Sequence, residues 1–286
     1  MVLLDGKAYS QELRVTIKEK SELFYNKFGR KIGLAVVIIG EDPASKIYVN
    51  NKIKATEECF MQSFSVRLPE SVSQEEAELE VKKLAENPEV DGIIVQLPLP
   101  KKFDASKILA HIPAEKDVDG LCSLNLGKLF KGEKTLPSCT PYGIIKLLKR
   151  YGVEFEGKNS VVIGRSNMVG KPIAALLLHE NCTVTVCHSK TPNIKEVAKS
   201  ADILVVAIGK SRFVTGDMVK DGAVVVDVGM NREEGKLYGD VDFDSVAEKS
   251  SYITPVPGGV GPMTVTMLMY NTAVAGFRSQ GEDELQ

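Results

Sequence analysis

Short β-branched runs alternate with amphipathic stretches along nearly the whole chain. Apolar positions at helical spacing predict a helix from Ala8 to about Phe28, and the unbroken run Ile32 to Ile39 predicts a buried strand. Gly40-Glu41-Asp42-Pro43 reads as a turn into a second helix, with Asp42 as N-cap and Pro43 in the first helical position. A strand is expected near Phe64 to Leu68 and a polar helix from Gln74 to about Asn87. The third strand starts at Asp91 and stays apolar until Gln96, before Pro98 and Pro100 stop it. The loop Lys116 to Gly120 comes next, then a linker rich in Gly, Lys and Pro as far as Thr140-Pro141, then a helix to about Arg150.

The second half repeats the rhythm. Val161-Val162-Ile163 runs into a glycine-bearing turn, with a helix at Ile173 to Leu178 close behind. Strands are expected at Thr183 to Cys187, Ile203 to Gly209 and Ala223 to Gly229. Thr254 to Pro262 holds too much Gly and Pro for regular structure, and Pro262 can start a helix from Met263 to about Ala275. This order predicts an α/β protein of two α/β domains around a cleft, the second a Rossmann-like doubly wound parallel sheet. The expected division is 1–139 plus 262–286 for one domain and 140–261 for the other.

Composition narrows the class. The chain has 286 residues, 43% hydrophobic and 26% charged, in the range of a soluble globular protein. A net charge of −2 supplies no electrostatic footprint for nucleic acid or an anionic membrane. No apolar run reaches membrane-spanning length, and the apolar stretch in Met1 to Lys7 is too short for a signal peptide. Five cysteines without a C-x-x-C pair point to reduced thiols in a cytoplasmic enzyme. With only His111, His179 and His188 available, no metal site is expected.

The turn after Ile163 carries the first chemistry. Gly164, Ser166, Val169 and Gly170 miss the general dinucleotide fingerprint, which has glycine where Ser166 and Val169 stand. A P-loop fails too, because Gly164 and Gly170 are one residue too far apart and Pro172 replaces the magnesium-binding hydroxyl. The strand–turn–helix order still suits a nucleotide, with phosphate cradled on the helix N-terminus. After the next strand an NAD site places an acid against the ribose hydroxyls. Here His188-Ser189-Lys190-Thr191 stands instead, and Arg165 sits in the turn. A guanidinium and a hydroxyl suit a 2′-phosphate, so NADP is expected.

Other motifs lie outside that turn. Tyr48 and Lys52 share a helix face, with Ser45 one turn earlier, although an isolated pair of this kind is more often a solvated polar face. Gln96 ends a buried parallel strand, either where open α/β sheets hold ligands or simply where the strand emerges into solvent. In the order Ser45-x-x-Tyr48-x-x-x-Lys52, Val95-Gln96-Leu97-Pro98-Leu99-Pro100, Lys116-Asp117-Val118-Asp119-Gly120, Gly164-Arg165-Ser166, His188-Ser189, Gly239-Asp240-Val241 and Pro255 to Thr264, the chain resembles the methylenetetrahydrofolate dehydrogenase/cyclohydrolase family of the bacterial bifunctional FolD type.

That resemblance implies oxidation of 5,10-methylenetetrahydrofolate with NADP, then hydrolysis of the methenyl product to 10-formyltetrahydrofolate. It implies tetrahydrofolate derivatives as ligands and a homodimer formed through the cofactor domains, with no nucleic acid or membrane partner. By the same resemblance Lys52, Tyr48, Gln96 and Asp119 form the catalytic set. Tyr48 packs against the folate, Gln96 orients Lys52, and Asp119 grips the amino-pyrimidine end of the pterin. Leu97, Pro257, Gly258, Gly259 and Val260 line the folate pocket. Gly164, Arg165, Ser166, Gly170, Ser189 and Gly209 hold the cofactor, with Met230 near it. Many relatives carry isoleucine in place of Met230 and proline in place of Ser211.

Two other readings compete. A shikimate-dehydrogenase-like NADP enzyme would also pair a lysine with an aspartate, but would need neither the Pro257-Gly258-Gly259 wall nor Gln96. A non-catalytic NADP-sensing module would leave Lys52, Gln96 and Asp119 without a role. If Arg165 reads the 2′-phosphate, Arg165→Ala should weaken NADP roughly ten- to a hundredfold while NAD is little affected, as loss of a charge-assisted contact worth about 1.5–3 kcal/mol implies. Equal efficiencies with NAD and NADP in the unmutated chain would refute the assignment.

Overall fold

The computed structural model describes residues 1–282; the side chains of residues 43–47, Ser45 among them, lie outside the description. By compactness the chain divides into two units. One comprises Met1–Gln11, Leu129–Glu133 and Thr140–Thr264; the other comprises Glu12–Lys128, Lys134–Cys139 and the residues from Val265 onward.

The second of these units is built on a three-stranded parallel sheet, in the order Gln62–Leu68, Gly33–Ile39, Gly92–Val95. Every residue of the central strand Gly33–Ile39 is buried, as an unbroken apolar run in a parallel sheet should be. On the edge strand, exposed Ser65 and Arg67 alternate with Phe64, Val66 and Leu68, which pack on the core. The helix Gln74–Glu86 lays Ala77, Val81 and Leu84 on that core. Its start is a capping box: Glu76 N–H donates to Ser73 Oγ at 3.1 Å, and Ser73 N–H donates to Glu76 Oε2 at 2.9 Å. The helix Pro43–Glu58 begins where the Asp42-Pro43 pair predicted.

The other unit holds a six-stranded sheet. Its order is Val2–Leu3, Tyr252–Ile253, Val224–Asp227, Ile203–Val206, Asn159–Ile163, Thr183–Cys187, and every pairing is parallel. From Asn159–Ile163 the chain moves to one neighbour, Thr183–Cys187, and then returns to the opposite neighbour, Ile203–Val206. The strand order therefore reverses between Asn159–Ile163 and Ile203–Val206, the crevice where open α/β sheets take ligands.

The structure corrects several expectations. The strands expected to reach Gly209 and Gly229 end at Val206 and Asp227: Ala207 and Val228 N–H make one more bond to the neighbouring strand, and then Ile208, Gly209 and Gly229 N–H turn to carboxylates. The expected linker contains the helix Ser123–Lys131, although Gly127 sits in its middle. Its buried Asn125 donates from Nδ2 to Ala114 O at 2.9 Å and Asp117 Oδ2 at 3.0 Å, a tertiary anchor that composition conceals. The C-terminal helix runs Val260–Ser279, three residues earlier than the expected Met263, with Pro262 still in the first turn. A hairpin, Asn231–Glu233 with Lys236–Tyr238, adds a small antiparallel sheet, and Glu234 and Gly235 both take positive φ at its turn.

One buried ion pair ties the smaller sheet together. Asp91, with a side chain 1% exposed, accepts from Arg30 Nη1 and Nη2 and from Gly33 N–H, each at 2.8 Å, and from Ser279 Oγ at 3.1 Å. Asp91→Ala would strand the Gly33 amide and the guanidinium together, so it should cost about 3 kcal/mol in urea unfolding, the low end for breaking a buried pair. A loss below about 0.5 kcal/mol would mark the pair as a screened surface contact.

Candidate active site

In the unit with the three-stranded sheet, Lys52 projects from the helix Pro43–Glu58 and Gln96 stands just beyond the strand Gly92–Val95. Lys52 Nζ donates to Gln96 Oε1 at 2.9 Å. Gln96 Nε2 donates in turn to Leu97 O at 2.6 Å, so the amide presents its oxygen to the lysine. Tyr48, one turn before Lys52, is 40% exposed.

The loop Lys116 to Gly120 is laid along the strand that leads to Gln96. Ile93 N–H donates to Lys116 O at 2.8 Å, and Ile93 pairs with Asp117 as a parallel bridge. Asp117 is buried and anchors the start of the helix Ser123–Lys131, accepting from Cys122 N–H at 2.8 Å and from Asn125. Asp119 lies within electrostatic reach of Lys52. Burial drives its carboxyl above the ordinary range, Lys52 opposes that rise, and Asp117 adds to it. Burial likewise lowers Lys52, while Asp119 and Cys139 pull it back up. Desolvation thus pushes both groups toward neutrality and their mutual attraction pushes both toward charge.

Cys139 completes the cluster, and sequence reasoning missed it. Its thiol is 2% exposed, donates to Val118 O at 3.2 Å and shares a hydrogen bond with the Asp119 carboxyl; burial raises its pKa well above the ordinary value. Asn271 Nδ2 braces the loop through Val118 O at 2.9 Å and Pro137 O at 2.8 Å. The one available signal was position: Cys139 lies in Ser138-Cys139-Thr140-Pro141, at the start of the helix Cys139–Arg150.

In the other unit, the turn Gly164-Arg165-Ser166 stands at the reversal of strand order. Gly164 has φ +126°, and a Cβ there would overlap the Ala207 carbonyl oxygen; a Cβ at Gly170 would overlap Gly164 O. Glycine is required at both positions. Arg165 and Ser166 are exposed, as are Ser189, Lys190, Gly209 and Met230, the last at 47%.

The helix N-terminus differs from expectation. Ser166 Oγ accepts from Gly170 N–H at 3.4 Å and from Val169 N–H at 3.1 Å, and Ser166 O accepts from Lys171 N–H at 3.0 Å. Pro172 has no N–H, and Ile173 N–H donates to Val169 O at 2.9 Å. The amides of Val169, Gly170, Lys171 and Ile173 thus already have acceptors within the chain. After the strand Thr183–Cys187, His188 N–H donates to Thr191 Oγ1 at 2.9 Å and Lys190 N–H to His188 Nδ1 at 3.1 Å. That turn leaves Ser189 and Lys190 outward. A guanidinium, an ammonium and a hydroxyl at two adjacent strand ends form a donor set that fits a phosphorylated ribose.

The Gly/Pro-rich segment belongs to this same unit. Gly259 N–H donates to Pro255 O at 2.9 Å and Lys7 N–H to Gly258 O at 2.8 Å. Pro257 is exposed, Gly258 half-buried with φ +111°, and Gly259 and Val260 are buried. Leu97 and Pro257 each flank a cis peptide, Leu97–Pro98 and Val256–Pro257.

Comparison with known proteins adds a second line of support. The profile for the catalytic domain of tetrahydrofolate dehydrogenase/cyclohydrolase matches residues 4–119, and that for the family's NAD(P)-binding domain matches residues 138–280. The bifunctional protein FolD of Chloroherpeton thalassium is 52% identical over 285 residues, covering 95% of this chain and 97% of that protein. The crystal structure of the bifunctional FolD methylenetetrahydrofolate dehydrogenase/cyclohydrolase of Campylobacter jejuni superposes with a TM-score of 0.95 at 47% identity, covering 97% of this chain and 99% of that one. The Trypanosoma brucei enzyme, solved with NADP cofactor and inhibitor, gives 0.94 at 40% identity with 98% of each chain covered. Shikimate dehydrogenase of Thermus thermophilus reaches only 0.54 at 15% identity, covering 86% of this chain and 99% of that one, a likeness of fold alone.

Proposed function

The chain belongs to the tetrahydrofolate dehydrogenase/cyclohydrolase family, and from that premise we propose how its residues divide two reactions. It oxidises 5,10-methylenetetrahydrofolate to the 5,10-methenyl cation and hydrolyses that cation to 10-formyltetrahydrofolate. NADP, when bound, accepts the hydride. The unit on the three-stranded sheet carries Lys52, Gln96 and Asp119 for the folate chemistry, and the unit on the six-stranded sheet carries the nucleotide. Gly164, Arg165, Ser166, Gly170, Ser189 and Gly209 hold the cofactor, Arg165 and Ser189 at the 2′-phosphate, with Met230 beside it.

The observation that carries this reading is the half-buried Lys52–Gln96 hydrogen bond next to Asp119. Hydrolysis removes two protons from one water. Lys52, as the free amine, takes the first while the oxygen bonds to the methenyl carbon. The bond from that carbon to the ring nitrogen N5 then breaks, and Lys52 returns the proton to N5. The second proton leaves the oxygen for solvent as the formyl group forms on N10. An ordinary lysine, at about 10.4, is too seldom neutral for this near pH 7. Burial of Lys52 and a cationic substrate act in the same direction to free its lone pair. Gln96 fixes the amine's direction, Asp119 accepts from the N–H groups of the pterin, and Tyr48 and Leu97 contact the folate. Pro257, Gly258, Gly259 and Val260 are assigned to the same ligand by the family pattern.

The partner is a second copy. Thr183–Cys187 is the last strand of its sheet, with Thr183, Thr185 and Val186 exposed, an edge that a further strand can extend. A cytoplasmic location accords with five free cysteines, and no helix among the described residues is long and apolar enough to cross a membrane. The charge balance favours neither nucleic acid nor membrane as a partner. Sedimentation equilibrium should return twice the chain mass of 31.2 kDa, and a single-chain mass at micromolar concentration would refute the dimer.

Lys52→Met separates the reactions. Cyclohydrolase activity should fall by about 10²–10⁴-fold, the contribution of a positioned proton-transfer group, with methenyltetrahydrofolate accumulating and some dehydrogenase activity surviving. In the unmutated enzyme hydrolysis should rise with pH through a midpoint below about 10.4, since the neutral amine is the active form. Exposed Lys54, two residues on, is the control, and Lys54→Ala should keep both activities. Hydrolysis at the parent rate in Lys52→Met would sink the mechanism.

A further inference from the structure

Asp240 has no part in the chemistry above, yet it is fully buried at the strand ends that receive the nucleotide. Three successive backbone amides donate to this one carboxylate. Ile208 N–H reaches Oδ2 at 2.6 Å, Gly209 N–H reaches Oδ2 at 2.9 Å, and Lys210 N–H reaches Oδ1 at 2.8 Å. Asn231 Nδ2, from the hairpin, donates to Oδ1 at 2.9 Å. The loop so gathered extends from the strand Ile203–Val206. It abuts the Gly164 turn, where Ala207 O leaves no room for a side chain.

A second aspartate holds the first. Asp227 Oδ1 accepts from Asp240 N–H at 2.8 Å and from Gly229 N–H at 2.9 Å, while Oδ2 accepts from Val241 N–H at 3.0 Å. Glycine at 229 and 239 makes the packing possible, because a Cβ at either would overlap the carboxylate of Asp240 or Asp227 respectively. Outside, the Arg212 guanidinium lies 3.9 Å from the centroid of the Tyr238 ring, and Arg212 N–H donates to Gly239 O at 3.0 Å. Amides curled around an anion hold one arrangement, since each that lets go gives up a charged acceptor.

We propose that Asp240 is a positioning residue for the dinucleotide: an internal anion that holds Ile208, Gly209 and Lys210 in the conformation the cofactor meets. The proposal rests on the NADP reading. Gly209, at φ +65° and exposed, is the point where the held loop presents bare backbone. Without the carboxylate the loop would populate other shapes, and the cofactor would bind only the fraction that is correctly formed.

Asp240→Asn preserves volume while turning an N–H₂ group toward the loop amides. NADPH binding, followed by its fluorescence, should weaken roughly tenfold, and the KM for NADP should rise in step, as loss of charged hydrogen bonds implies. The kcat at saturating NADP and the cyclohydrolase rate without nucleotide should stay within about twofold, because the reacting groups are untouched. Unchanged NADPH affinity, or a fall in kcat at constant KM, would overturn the proposal. If this variant loses cyclohydrolase activity as well, its fold has failed and Asn231→Ala decides. Removing one of the carboxylate's donors should raise the KM for NADP by about threefold with kcat kept, and no change would overturn the proposal. Absence of NADPH binding by the unmutated chain would instead strike at the cofactor reading.

Discussion

Backbone amides that leave a parallel sheet must find acceptors, and in this protein aspartates at the strand ends supply them. Asp91 takes Gly33 N–H, Asp117 takes Cys122 N–H, and Asp202 takes Asn159 N–H at 2.9 Å. Asp227 and Asp240 take six amides between them. Each uses a short side chain to satisfy an amide that has no partner in a sheet ladder or, for Asp117, at the start of a helix. Burial of these carboxylates is costly, and at Asp227 it drives the pKa up to about 6 even against its backbone donors. The gain is loop shape.

The lysine cluster arises from the same desolvation. A lysine on an exposed helix face would be charged and mobile, with little to offer as a base. Lys52 is half-buried, aimed by Gln96, and balanced against Asp119 and Cys139. Burial favours the free amine and the carboxylate favours the cation, so small changes in what occupies the site can move the proton. Such a balance serves a reaction that must first take a proton and later return it. The nucleotide turn works differently. Ser166 closes the helix end that an ordinary dinucleotide turn leaves open, while Arg165, Ser189 and Lys190 stand exposed.

The family assignment and the local physics support each other unevenly. Matches over residues 4–119 and 138–280 fix the kind of chemistry more firmly than any single motif does. They are silent on how Asp240 gathers its loop, or on why Gly170 sits one place beyond the usual fingerprint. Contact distances answer both. The carbonyl of Gly164 occupies the space a Cβ at Gly170 would need, so the turn closes on itself before the helix starts.

Periodicity and punctuation were sufficient to read the α/β class, the principal strands and the long helices, because a buried parallel strand must be continuously apolar and an amphipathic helix must repeat every three or four residues. Gln96 was also legible, as the polar residue that ends an apolar strand, whereas Lys52 and Asp119 were singled out by resemblance to a known family. What sequence spacing could not reveal depends on contacts between distant segments. The helix Ser123–Lys131 exists against the grain of Gly127 because Asn125 is tied to Asp117 and Ala114. Cys139 joins the lysine cluster although 87 positions separate it from Lys52. Ala207 and Val228 make the last ladder bonds of their strands, because Ile208 N–H turns to the distant carboxylate of Asp240 and Gly229 N–H folds back on Asp227. Local pattern encodes which face of an element is apolar; which acceptor a departing amide finds is settled only when the chain has folded and those acceptors are near.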